Sequence, residues 1–241
     1  MGKCVLVTGA TGGLGKAISL EFAKNGYDVI INYHNHYEDA VSLEEEVKSY
    51  GVDTLLVKCD VSNEEEVKDM FKTIKDKFNH LDYLVNNAAI QNDSIFLDKT
   101  KEDFMKVYEV NLVGAFLCSK YAKDLMNNDS SIVNISSTNA IDTNYPYSAD
   151  YDASKAALIS LSNNLALELA PIRVNTVAPG WINTDMNKEL TKEQIMEENK
   201  KILLNRFAEP IEIAKVVVFL CSNEASYINK SVIRVDGGYN G

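Results

Sequence analysis

Histidine, paired cysteines, positive charge and long apolar runs are all scarce in this chain, and each shortage removes a class of function. The three histidines, His34, His36 and His80, are too few and too scattered to build a Ser-His-Asp triad or a His-rich metal centre. The four cysteines, Cys4, Cys59, Cys118 and Cys221, stand singly with no CxxC pair, which points away from a disulfide framework or zinc cluster and towards small buried apolar residues. No metal is expected. Lysine and arginine total 24 against 35 acidic residues, a net charge of −11, so the basic footprint that nucleic acid requires is missing. The acids concentrate in helix-forming stretches such as Leu43 to Ser49 and Asn63 to Lys72, where they read as solvated helix faces. No apolar run approaches the roughly 18 residues of a membrane span, and MGKCVLVTGA lacks the apolar core of a secretory leader. The expectation is a cytoplasmic protein with neither membrane nor nucleic-acid partner.

What is present is the material of one α/β domain spanning 1–241: 46% hydrophobic residues, 24% charged, and no linker or change of composition. Seven short apolar runs read as strands: Lys3 to Thr8, Asp28 to Tyr33, Thr54 to Lys58, Tyr83 to Asn86, Ser131 to Ser136, Arg173 to Val177 and Val232 to Val235. Helical patterns lie between them near Leu14 to Asn25, Glu38 to Tyr50, Glu64 to Phe78, Glu102 to Met126, Asp152 to Ala170 and Ile211 to Cys221. Runs such as VLVT and LVNN are apolar until their last residues, as strands covered on both faces are. The pattern predicts a Rossmann-type, doubly wound, parallel seven-stranded sheet flanked by helices. Four strands end in polar residues, Thr8, Asp60, Asn86-Asn87 and Ser136-Ser137, at the edge where ligands bind such sheets.

The loop Thr8-Gly9-Ala10-Thr11-Gly12-Gly13-Leu14-Gly15 leaves the first strand and opens the first helix. Glycines there allow a tight turn and a close approach to a pyrophosphate, and the helix N-terminus presents unpaired N–H donors. Tyr151 and Lys155 are four apart at the start of a helix, so they project from one face. A tyrosine can donate the proton that a carbonyl oxygen needs as its carbon is reduced, and a neighbouring ammonium would stabilise the phenolate.

On the TGxxxGxG spacing, Asp60 in CDV, Asn86-Asn87-Ala88, Asn111, the ISS ending at Ser137, the YDASK from Tyr151 to Lys155, Pro179-Gly180 and Asp236-Gly237-Gly238, the chain resembles the short-chain dehydrogenase/reductase family over its whole length. The resemblance implies a nicotinamide-dependent oxidoreductase with Asn111, Ser137, Tyr151 and Lys155 as its catalytic set. Ser137 would hydrogen-bond the substrate oxygen, with Ser136 and Thr138 as rivals for that task. Lys155 would also bind the nicotinamide ribose, and Asn111 would hold a water in a proton relay. The implied cofactor contacts are Gly9, Thr11, Gly13, Leu14 and Gly15 in the loop, Tyr33 and His34 after the second strand, and Asp60 and Val61 after the third. Asn87 and Ala88 follow the fourth strand; Tyr151, Lys155, Pro179, Gly180, Ile182 and Thr184 complete the set. Two departures stand out: Ala89 replaces a usual glycine, and Ser137 precedes Tyr151 by one residue more than the family spacing, which places an insertion in the loop carrying Tyr145, Pro146 and Tyr147.

An acid after the second strand would select NAD by accepting from the ribose and repelling a 2′-phosphate. This chain has Asn32, Tyr33 and His34 there, so NADP(H) is expected over NAD(H), although Gly12 stands where many NADP-dependent relatives carry a basic residue. The motifs are most similar to the 3-oxoacyl-carrier-protein reductases of fatty-acid synthesis, which implies an acyl-thioester substrate, an acyl carrier protein as partner and a homotetramer. Carrier proteins are acidic, so docking needs a local basic patch, for which Lys120, Lys123, Lys188 and Arg206 are the candidates. The alternatives are a reductase of a free small ketone, sugar or alcohol, and a non-catalytic dinucleotide-binding regulator; intact Ser137, Tyr151 and Lys155 argue against the latter. Trp181, Met186 and Thr191 to Lys201 read as a variable lid over the substrate.

Overall fold

The computed structural model describes residues 2–143, 145–184, 187–188 and 190–240. The strands are β1 (Cys4–Val7), β2 (Asp28–Tyr33), β3 (Thr54–Lys58), β4 (Tyr83–Asn86), β5 (Ser131–Ile135), β6 (Arg173–Pro179) and β7 (Val232–Val235). They form one parallel sheet in the order β3-β2-β1-β4-β5-β6-β7. The chain reverses direction across the sheet between β3 and β4, which leaves a crevice beyond the carboxyl ends of β1 and β4.

Alternation along β1 separates the two layers: Val5 and Val7 face one apolar cluster, Cys4 and Leu6 the other. Val5 and Val7 meet Ile18 and Phe22 of α1 (Gly13–Lys24), Leu43 of α2 (Tyr37–Lys48), and Ile213 and Val217 of α8 (Pro210–Cys221). Cys4 and Leu6 meet Met70 and Ile74 of α3 (Glu64–Phe78), Leu117 of α5 (Gly114–Ala122) and Ala166 of α6 (Ala149–Glu168). Local chemistry fixes where these helices begin. Asn63 caps α3 by accepting from the N–H groups of Glu65 and Glu66, and α8 starts on Pro210 with Glu209 and Glu212 forming a capping box.

The structure adds to the sequence expectation in two helices. The long helix expected over Glu102 to Met126 is present without interruption as α4 (Lys101–Tyr108), a π-helical turn (Glu109–Val113) and α5, its winding widened at the middle turn. The cause is tertiary: Asn111 within the wide turn is tied to the backbone of Ile90. The segment expected to be a lid contains a true helix, α7 (Lys192–Lys200), started by a Thr191–Gln194 capping box. Among the described residues, no helix is long and apolar enough to cross a membrane. All four cysteines are buried free thiols.

Candidate active site

The glycine loop is held open by its neighbours. Thr8 directly follows β1 and its hydroxyl accepts from the N–H groups of Asn87 and Ala88 at 2.9 and 3.0 Å, while the Asn87 amide donates to Thr8 O and Gly9 O at 2.9 and 3.1 Å. Asn32, whose role the sequence did not suggest, accepts from Gly9 N at 3.1 Å and donates to Cys59 O at 3.1 Å, joining the loop to β2 and β3. Gly9 has φ +60 and a Cβ there would lie 2.9 Å from Ala88 Cα; a Cβ on Gly15 would lie 2.3 Å from Gly9 O. No side chain fits at either position, so bare backbone and the N-terminus of α1 face the crevice. Ala89 has a negative φ, so its methyl group is accommodated without backbone strain.

A cavity of about 380 Å³ opens between the start of α1 and the segment after β6, lined by Gly13, Asn183, Thr184, Asn187 and Lys188 among others. Pro179 ends β6, Gly180 N donates to Val235 O, and Ile182 pairs with Ala208, which sets Thr184 against Gly13. Thr11 and Leu14 lie half-buried in the same loop and helix turn. Met186 lies outside the described residues.

A second cavity, of about 350 Å³, lies beyond the ends of β2 and β3 and is lined by Tyr33, His34, His36, Tyr37 and Lys58. Lys58 is a cation that inspection of the second strand alone misses. It comes into place because β3 pairs with β2 so that Lys58 stands beside Tyr33. Asp60 accepts from the N–H and hydroxyl of Ser62 and lies 3.8 Å from His34 Nε2; these bonds hold its carboxyl below the usual range despite the opposing effect of burial. Val61 is buried and backs onto Gly114.

The expected catalytic residues gather where β5 meets α6. Tyr151 is the third residue of α6 and its phenol shares a hydrogen bond with Ser137, just past the end of β5. Ser137 is thereby separated from its rivals: Ser136 Oγ donates to Lys155 O at 2.9 Å, and Thr138 is buried. Lys155 Nζ donates to Ile135 O at 2.8 Å and lies 5.6 Å from the centre of the Tyr151 ring. Asn111 is drawn in less directly. Its amide accepts from Ile90 N at 2.8 Å and donates to Ile90 O at 2.9 Å and Ser154 Oγ at 3.1 Å, and Ser154 in turn donates to Tyr151 O.

Burial dominates the electrostatics of the pair. Within the chain itself, burial pushes Tyr151 up to about 12, aided by the Asp152 carboxylate and opposed by the Ser137 hydrogen bond; the expected lowering by the ammonium acts together with the cationic nicotinamide of the oxidised cofactor. Burial also draws Lys155 down to about 7. The phenol is therefore a held proton, suited to donation. Below Tyr151, Asp150 and Lys99 form an ion pair of 2.9 Å with both side chains almost fully buried, a pair the sequence did not reveal.

The outer wall is looser. Trp181 stacks on Phe207 with ring centres 5.3 Å apart, meets Tyr145 edge-on and donates to Glu198 of α7. Of the four cations considered for a docking patch, Lys120 pairs with Glu64 and Arg206 with Glu212, so neither presents an uncompensated charge; Lys188 lines the first cavity and Lys123 is exposed.

A glycine cradle at a sheet's switch point, with a half-buried Ser137 and Tyr151 over a buried Lys155 beside it, defines an NAD(P)-dependent oxidoreductase acting on the CH–OH/C=O pair. The comparisons agree. A family model described as Enoyl-(Acyl carrier protein) reductase matches residues 9–240, and the chain belongs to the short-chain dehydrogenase/reductase family. It is 39% identical over 242 residues to the 3-oxoacyl-[acyl-carrier-protein] reductase FabG of Staphylococcus aureus, covering 99% of this chain and 98% of that protein. Among solved structures, a short-chain dehydrogenase/reductase from Serratia marcescens superposes with a TM-score of 0.95 at 29% identity, covering 100% of this chain and 99% of the other. Acetoin dehydrogenase YohF from Salmonella typhimurium gives a TM-score of 0.88 at 32% identity, with 99% and 96% covered.

Proposed function

We propose that the chain, acting as one catalytic domain in the cytoplasm, is an NADPH-dependent 3-oxoacyl-carrier-protein reductase. The observation that carries the reading is the Ser137–Tyr151–Lys155 cluster, half-buried at its serine and tyrosine and buried at its lysine, beside the glycine cradle in a chain that matches such reductases over nearly all of its length. The cradle fits a dinucleotide: Gly9 and Gly15 make a turn too tight for any Cβ, Thr11 and Leu14 belong to the same turn, and Gly13 at the start of α1 lines the first cavity together with Thr184. Asp60, Val61, Asn87, Ala88, Pro179, Gly180 and Ile182 form its rim. When bound, the dinucleotide supplies hydride to the carbonyl carbon.

The chain's own residues do the rest. Ser137 donates a hydrogen bond to the substrate oxygen, an interaction that strengthens as negative charge gathers there. Tyr151 gives that oxygen its proton; burial keeps the phenol protonated at neutral pH, which suits the reductive direction. Lys155, close to half charged near neutrality, holds the ribose and restores the proton. The Asn111 amide is engaged with Ile90 and Ser154, so the part proposed for it is to fix the π turn beside Tyr151, where the relay water would be held.

NADPH is favoured over NADH because the second cavity pairs the absence of an acid with Lys58, His34 and His36, all able to face a 2′-phosphate. A homotetramer is supported by apolar residues left exposed on the helices expected at its interfaces, Met105, Phe116 and Leu167, and by Val232 on the last strand. The reading is tested by comparing kcat/KM for a 3-oxoacyl thioester of acyl carrier protein with that for free acetoin, each with NADPH and NADH. A preference for the free ketone overturns it. One observation favours that second reading: the net charge of −11, with Lys120 and Arg206 already paired, weakens the attraction for an acidic carrier.

A further inference from the structure

At the edge of the sheet opposite the candidate active site, the adjacent strands β1 and β4 bring together Cys4, His80 and Asp82, with one ligand atom from each lying within 4.8 Å of the others. We propose that these three side chains, with the carbonyl oxygen of Gly2, form a binding site for zinc or a divalent ion of similar softness. Spacing along the chain hides the site, because 76 residues separate Cys4 from His80 and only the pairing of β1 with β4 joins them.

The surroundings of His80 carry the argument. Its Nδ1 lies 2.7 Å from Phe78 O, and its Nε2 lies 3.2 Å from Gly2 O and 3.3 Å from Asp82 Oδ2. All three partners are acceptors, whereas a neutral imidazole has one N–H. With the N–H placed on Nδ1, where the contact to Phe78 O is shortest, the Nε2 lone pair is the one that faces the two oxygens. A cation set among Nε2, Oδ2 and Gly2 O turns this repulsion into coordination, and the Nδ1–H bond to a carbonyl is the outer-shell bond that metal-bound imidazoles make. The scale fits. Tetrahedral zinc with bonds of about 2.0 Å to nitrogen and oxygen has ligand-to-ligand edges of about 3.3 Å. Asp82 Oδ2 is fixed by the Cys4 N–H at 2.8 Å, and Cys4 Sγ, fully buried, completes a four-ligand set of mixed hardness. His80 and Gly2 reach the surface and give the ion a way in. Binding moves the Cys4 thiol proton to solvent and forms one sulfur–metal bond with no change of oxidation state, so uptake weakens as pH falls. The bound ion would staple the start of the chain to β4, remote from the reacting groups.

The test titrates the full chain, stripped of metal, with cobalt by absorption and with zinc by calorimetry. The expected result is one ion per chain, a thiolate-to-cobalt charge-transfer band, the intense visible bands of a tetrahedral centre, and a higher Tm with zinc. Cys4→Ala and His80→Gln should each weaken uptake by at least about 100-fold, more than the loss of an outer-shell partner costs. Melting curves without metal verify that both variants fold, and NADPH-dependent turnover should be unchanged in both. The proposal is overturned by uptake no tighter than millimolar, by a cobalt spectrum without the thiolate band, or by uptake that survives both substitutions, which would place the ion elsewhere. An imidazolium with both nitrogens protonated in NMR spectra of zinc-saturated protein overturns it too.

Discussion

The corner between β5 and α6 and the segment between β6 and α8 both face the crevice, but they are built to different standards. The first is cross-braced from within: Asn134 donates to Ser162 at 2.7 Å, Ser136 to the backbone of Lys155, Lys155 back to Ile135, and Asn139 to Asp152 at 2.8 Å. The second is tied down at scattered points, by two isolated bridges, the Trp181–Phe207 stack and hydrogen bonds such as Trp181 to Glu198, and leaves Met196 and Leu203 61% and 80% exposed. Proton transfer requires atoms held to a fraction of an ångström, and the braced corner supplies that. Choice among substrates requires a surface that can differ from one relative to the next, and the loose segment supplies that. Chemistry should therefore fail abruptly when the corner is touched, and substrate or cofactor preference should shift by degrees elsewhere.

The hardest blow to the corner is Tyr151→Phe, which keeps the ring and removes the proton. Turnover should fall by about three orders of magnitude while NADPH, followed by its fluorescence, still binds. Turnover near that of the unaltered enzyme would remove Tyr151 from the mechanism. Next comes Lys99→Met, which strands the Asp150 carboxylate in the interior and should lower unfolding stability by about 3 kcal/mol. Adding Asp150→Asn to Lys99→Met should recover most of that loss, and denaturant titration of the three variants measures the coupling. If Lys99→Met alone is harmless, the corner is less braced than its bonds suggest.

At the cofactor's far end the changes should be graded. Tyr33→Asp introduces the missing acid and should turn the ratio of kcat/KM against NADPH by about 30-fold, equal to about 2 kcal/mol. Lys58→Met should cost a smaller factor, about tenfold, and only with NADPH. An unaltered enzyme that already prefers NADH would mean that the absent basic residue at Gly12 matters more than the absent acid.

The smallest effect is linked to pH. Lys155 has a folded value of about 7 against an ordinary 10.5, so between these the unfolded chain binds more protons than the folded one. Stability from this group therefore rises with pH across that window, and the full penalty of a buried ammonium applies below it. Lys155→Met lacks this slope. The Tm advantage of Lys155→Met should be largest near pH 6 and shrink by a few degrees towards pH 8, at about 2–4 °C for each kcal/mol. A constant gap would show that the ammonium is solvated after all.

The sequence displays the seven strands and the tyrosine–lysine pair openly because their signals are local: apolar runs with polar ends, and a spacing of four on a helix. Other features depend on partners that only folding supplies. Lys58 gains its place from the register of β3 on β2, Lys99 finds Asp150 across 51 residues, and Asn32 reaches the glycine loop from a neighbouring strand. The π turn belongs to the same class, since the tie between Asn111 and Ile90 widens it against the local preference for a regular helix. α7 differs: its capping box, Thr191 to Gln194, stands in plain sequence and simply went unused.

That wide turn makes chain length, rather than residue type, the quantity under constraint between Glu109 and Val113. The wide turn takes up one residue more than a regular helix would, so excising any one of these five residues would let α4 run as regular helix into α5 and would pull Asn111 away from the backbone of Ile90. A three-nucleotide deletion in this stretch of the gene is expected to silence the enzyme as thoroughly as loss of the tyrosine. A conservative exchange at Val110 or Leu112, which leaves the residue count intact, is expected to pass almost unnoticed.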